Sequence, residues 1–268
     1  MLPDGVTDEQ RALVGRATDA VVQMRTILID AATAYIALDP AGRELDKQAR
    51  DQALGWVERI AVDWREAELA GVTDTAYEQE FVAAPPHRLL EAIQDSLILT
   101  LTADPADRTP KLSADEVTNR IADLAEDGAW ESAYLRPRPA TPEGSPDDLV
   151  RRFDDLEMQV LEAVGEAAAV FPSVAPDESD LDETQVAGCR EHLVALAACG
   201  RELDRERDLV EARVERRDLR PSIGMLHSMV QALVLRLADD PERRAQATPL
   251  QDVATRYHPV LADWKTWI

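Results

Sequence analysis

The chain has 268 residues, with 29 Lys and Arg against 52 Asp and Glu, for a formal net charge of −23. A hydrophobic fraction of 45% excludes a disordered chain, and the combination of 4% aromatic residues with 11 glycines speaks against a turn-rich sandwich or barrel. The charge excludes a general nucleic-acid binder or a protein of anionic membrane surfaces, which need clustered Lys and Arg. It fits a solvated acidic surface or a basic partner.

Helical periodicity begins after Thr7, a candidate N-cap. Leu13, Val14, Ala17, Val21, Met24, Leu28, Ala31, Ala32, Tyr35 and Ile36 follow an i, i+3, i+4, i+7 stripe that predicts a helix to about Leu38. Asp39-Pro40 ends it, because the residue before a proline disfavours the helical region. A second helix places Leu45, Ala49, Leu54, Val57, Ile60, Ala61, Trp64 and Leu69 on one face and stops near Gly71. Pro85-Pro86 opens a third, through Leu101, and Ser113 with Glu116 forms the capping-box pattern of a fourth. After a stretch containing Pro137, Pro139, Pro142, Gly144 and Pro146, helices are predicted over 147–170, 182–217 with a break near Gly200, 222–238 and 248–264.

The four-helix order therefore occurs twice. Shifting the sequence by 136 residues pairs Pro85 with Pro221, Leu90 with Leu226, Leu97 with Leu233, Leu101 with Leu237, Asp104 with Asp240, Pro105 with Pro241 and Arg108 with Arg244. We expect an all-α protein of two tandem, duplicated four-helix units packed as a helical bundle: an N-terminal unit over 1–130, a Pro-rich connector over 131–147 and a C-terminal unit over 148–268. Two such units can close separate bundles or share a core around a pseudo-two-fold axis, and the second arrangement is favoured.

Chemical motifs are sparse. The four histidines, His87, His192, His227 and His258, form no His-x-x-x-His pair and no Glu-x-x-His motif, so no metal or other cofactor is expected. Adjacent acids such as Asp154-Asp155 point to different helix faces and suit solvation. Cys189 and Cys199 lie ten residues apart on one predicted helix. At 1.5 Å per residue that is roughly 15 Å, too far for a mutual disulfide, and two reduced, core-facing thiols are expected. His192 can meet Cys189 on one face, where packing explains the pair better than activation. The repeated Asp104-Pro105-x-x-Arg108 and Asp240-Pro241-x-x-Arg244 read as helix stops whose arginines serve the last carbonyls.

One segment carries an enzymatic alternative. Arg220-Pro-Ser-Ile-Gly-Met-Leu-His227 loosely resembles the Arg-x(4–6)-His signature of HEPN-type ribonucleases, small all-α domains. That resemblance implies Arg220 and His227 as catalytic residues acting on an RNA phosphate; Glu91 stands at the place of His227 in the first half. Trp264 and Trp267 close the chain and either fold back or dock a partner, which makes them the candidate interface.

Elimination favours a non-enzymatic protein–protein interaction module: an adaptor, assembly or regulatory component with an acidic helical surface. Its expected partner is another protein, one with a basic surface, with no direct nucleic acid and no membrane. Besides the ribonuclease, an acidic inhibitor or immunity-type protein mimicking nucleic acid is the other alternative. The opening MLPDGVTDEQ lacks a basic region and an apolar run, so a cytoplasmic location is expected. The preference for Arg, with Lys only at 47, 111 and 265, is that of a GC-rich bacterial genome.

Overall fold

The computed structural model describes residues 8–69, 85–102, 111–126, 144–170, 181–206, 220–249 and 252. These residues form eight α-helices and no strand: α1 (Asp8–Leu38), α2 (Lys47–Leu69), α3 (Pro85–Leu101), α4 (Ala114–Glu126), α5 (Pro146–Val170), α6 (Glu183–Arg205), α7 (Arg220–Arg236) and α8 (Pro241–Gln246). The protein is an all-α helical bundle. No described helix is long and apolar enough to cross a membrane.

The helix ends have local causes. Asp39 adopts a left-handed φ of 42°, a conformation Asp tolerates better than most residues, so the chain turns out of α1 before Pro40. Arg43 Nε then donates to the Leu38 carbonyl at 3.1 Å and satisfies one of the open acceptors at that helix end. Asp46 Oδ1 accepts from Ala49 N at 2.9 Å and caps α2. Ser113 Oγ accepts from Glu116 N at 3.1 Å, while the Glu116 carboxylate holds Arg120 at 2.7 Å. Asp182 and Gln185 form a complete capping box at the start of α6, with bonds of 2.8 and 2.9 Å.

Two sequence expectations need correction here. The predicted helix over 182–217 does not break at Gly200: α6 runs through it to Arg205, and 207–217 lies outside the described residues. Asp240-Pro241 is more than a helix stop, because Asp240 is the N-cap of α8, with Pro241 at its first turn and Oδ1 accepting from Glu242 N at 2.9 Å. The matching segment around Asp104 and Arg108 lies outside the described residues, as does most of the helix expected over 248–264.

The packing order explains where the core sits. α3 packs against α2 and α6, and α7 packs against the same two helices, so these four close a ring with α3 diagonal to α7. α1 covers α2 and α3 from outside; α5 covers α6 and α7. Exchanging α1, α2, α3 with α5, α6, α7 reproduces the same set of neighbours. Buried side chains from both halves, among them Leu28, Ile60, Leu90 and Leu97 with Val164, Leu196, Met225 and Leu233, form a single cluster. Individual faces deviate from the simple stripes: Ile27 and Ala53 are buried, whereas Ile36 and Leu54, placed inward by periodicity, are exposed. Trp64 is buried, and Trp56 is half-buried at the core edge.

Candidate functional site

The diagonal between α3 and α7 is where the polar chemistry gathers. α3 buries His87, Glu91, Gln94, Asp95 and Ser96, and α7 buries His227, Ser228 and Gln231. The first three positions, 87, 91 and 94 or 95, are one helical turn apart, so they line the same side of α3. Gln94 and Gln231 exchange amide hydrogen bonds of 3.0 and 2.7 Å across the diagonal, and Gln94 Nε2 also donates to the Val57 carbonyl at 3.1 Å. One turn away, His227 Nε2 and Glu91 Oε2 are 3.1 Å apart. Glu91 stands at the place of His227 under the 136-residue shift, so residues at equivalent sequence positions meet across the diagonal.

This contact is nearly dry. His87, Glu91 and His227 are exposed by only 5–6%, and Trp64 closes the space beside the rings. The Trp64 centroid lies 5.3 Å from the His87 ring in an edge arrangement and 6.3 Å from His227. Burial lowers both imidazoles to about 3, with His227 adding to the effect on His87. Burial also pushes Glu91 well above the ordinary carboxylate range; Asp95 and Asp204 reinforce that shift and Arg88 opposes it. Burial thus works against the charged form of both partners in this contact. Among the described residues, Glu91 Oε1 has no hydrogen-bond partner.

A charged network flanks this seam and ties the halves together. Arg120 on α4 makes two hydrogen bonds of 2.8 and 2.9 Å to the Asp204 carboxylate on α6, and Arg201 adds a third at 2.6 Å. Burial alone would raise Asp204, but the Arg120 bonds and the two guanidinium charges hold it below the usual range. Gly200 lets α6 approach the Asp95 side chain, since a Cβ there would lie 2.1 Å from Asp95 Oδ2. Tyr35 Oη donates to the Leu112 carbonyl at 2.7 Å, and burial raises its hydroxyl to about 12.

A second feature lies on the opposite side of α1. Val22, Ile29 and Ile36 repeat every seven residues and are 56%, 51% and 37% exposed, although α1 already buries Ile27, Leu28, Ala31 and Tyr35. Leu54 on α2 is also exposed, so four of the five large exposed hydrophobics among the described residues belong to α1 and α2. A groove of about 410 Å³ lies between these helices; Ala34, Ala37, Ala49 and Trp56 line it, with Arg43 and Asp46 at its polar end. Arg59 lies over the Trp56 ring at 5.0 Å.

Of the residues singled out by sequence, His227 falls in the buried seam, and Arg220 begins α7 seven residues earlier. Trp264 and Trp267 lie outside the described residues. Cys189 and Cys199 are free, and burial raises both thiols to about 11, away from thiolate chemistry. Among the described residues, no group of three or more His, Cys, Asp or Glu is arranged to hold a metal ion. Sequence reasoning missed the seam because polar residues were sought as motifs. Its signal was Glu91, Gln94 and Asp95 interrupting an otherwise apolar helix, with His227 and Gln231 doing the same in α7. No protein-family model matches the chain, and no curated protein or solved structure matches it either.

Proposed function

We propose that the protein is a non-enzymatic interaction module of the cytoplasm, and that the outer face of α1 and α2 receives an amphipathic helix of a partner protein with basic flanks. The observation that carries this reading is the heptad-spaced ridge of Val22, Ile29 and Ile36. A helix packed on one side needs only one apolar face, and a second one marks a surface meant for another helix. The separate groove between α1 and α2, with its alanine walls, gives a partner's side chains somewhere to insert. Charge selects the partner. The chain carries a net −23, and nearby arginines are engaged internally: Arg43 and Arg50 with carbonyls, Arg59 with Trp56.

The ribonuclease alternative is the weaker one. An RNA phosphate needs to reach the imidazole it reacts with, and His227 is buried against Glu91 and Trp64.

The reading predicts the behaviour of Ile29→Asp/Ile36→Asp. Both positions are exposed, so the change in stability should stay within about 0.5 kcal/mol for each. A protein that co-purifies with the wild type from the native host should be lost from the variant, and should be released from the wild type by raised salt. Repeated recovery of the wild type alone, or equal recovery of partner with both forms, would count against the proposal.

A further inference from the structure

We propose that α1 presents one half of a left-handed coiled coil, and that its occupant is a heptad-repeat helix of another protein, apolar along one stripe and basic beside it. The inference rests on the interaction reading and names the kind of helix received. Its starting point is a spacing. Thr26 and Thr33 stand between Val22, Ile29 and Ile36 and are also exposed, so the outward residues advance by four, three, four and three. That alternation is a heptad, with Thr26 and Thr33 at the a positions and Val22, Ile29 and Ile36 at d; all five are branched at Cβ. The threonines do not interrupt the face. Thr26 Oγ1 donates to the Val22 carbonyl at 3.1 Å, and Thr33 Oγ1 donates to the Ile29 carbonyl at 2.7 Å. Each hydroxyl has its acceptor inside α1, so an apolar helix lying over it strands no donor.

The bundle itself does not require this face. Under the 136-residue shift, Leu28 and Ala31 of α1 fall on Val164 and Ala167 of α5, and all four are buried. The same shift carries the five heptad residues onto Met158, Glu162, Gly165, Ala169 and Pro172. A charge, a glycine and a proline at those places make no coiled-coil face. α1 and α5 hold corresponding places against their own halves, so the apolar heptad that only α1 carries serves a contact outside the bundle.

Spacing and charge together define the occupant. The face rises about 21 Å from Val22 to Ile36, so the partner contributes about four helical turns. A heptad repeat sets the two helices roughly 20° apart, with the side chains of each seated between those of the other. Asp30, four residues after Thr26, flanks the face; it is 49% exposed and only loosely held by Arg59 at 3.9 Å. Arg25 borders the other side and already interacts within the chain. A second copy of the chain would bring another charge of −23 to this contact, whereas a basic helix is attracted by it.

Fluorescence anisotropy of a labelled three-heptad peptide titrated with the full chain tests the proposal. The peptide carries Leu at a and d and Lys at e and g, which keeps it from pairing with itself. A second peptide has the same residues in an order that forms no stripe. The heptad peptide should bind at least about tenfold more tightly than the scrambled one. Ile29→Asp should abolish that preference, and Thr33→Ile should tighten binding about tenfold by adding apolar contact at an a position. Equal affinity for the two peptides, binding of neither, or binding unchanged by Ile29→Asp would overturn the heptad face. So would self-association of the wild type in sedimentation equilibrium that Ile29→Asp abolishes, since the occupant would then be a second copy. A host partner lost from Ile29→Asp/Ile36→Asp, combined with equal affinity for the two peptides, would sink the heptad face and leave the interaction reading standing.

Discussion

Asp204→Ala is expected to destabilise the protein by about 3–5 kcal/mol, read as a fall in the urea midpoint at constant slope. The size comes from what the substitution leaves behind. Arg201 is 4% exposed and Arg120 is partly buried, and Asp204 receives hydrogen bonds from both. Removing the carboxylate takes a short acceptor from both guanidinium groups: Arg120 keeps Glu116 at 2.7 Å, while Arg201, deep in the bundle, loses its 2.6 Å bond. Burying a charge without a partner costs far more than an intact pair contributes. Because the bridge joins α4 to α6, the loss also removes a polar tie between the halves. A loss below about 1 kcal/mol would mean that water, or the buried Asp95 whose carboxyl already feels the Arg201 charge, replaces Asp204 at little cost.

The second large effect is a contrast within one helix. Alanine is the better helix former, so Gly188→Ala, where nothing lies within 4 Å of the new Cβ, should stabilise α6 by up to about 1 kcal/mol. Gly200→Ala should do the opposite and cost about 1–3 kcal/mol, because the methyl would stand 2.1 Å from Asp95 Oδ2 and 3.0 Å from its Cγ. Asp95 is 2% exposed and has a short side chain, so relief requires α3 and α6 to separate. Thermal unfolding of both variants under one condition decides the point. Two changes of the same sign would contradict the close approach of these helices.

The helices were legible because their signals are local. Pro40, Pro85 and the Ser113–Glu116 signal act on neighbouring backbone groups, and the aliphatic periodicity marks long stretches whatever their final partners. Two kinds of feature were not. Gly200 looks like a helix breaker in isolation, and only its encounter with Asp95 from α3 explains why the helix continues through it. The seam likewise depends on residues 136 or 137 positions apart, which no spacing rule connects; Glu91 was visible as the counterpart of His227, but their contact was not. The α1 ridge was hidden for the opposite reason: Ile36 fits the inward stripe by sequence, and the actual rotation of the helix turns it outward with Val22 and Ile29.

Site-specific photocrosslinking in the native host tests the interaction reading most directly. A photoreactive phenylalanine analogue would replace Ile29 on α1 in one strain and Glu166 on the exposed side of α5 in another. The account predicts a discrete adduct with a different, basic protein from position 29, none from position 166, and a yield that falls as salt is raised. No adduct from position 29, adducts only with a second copy of the chain, or the same adduct from both positions would contradict it.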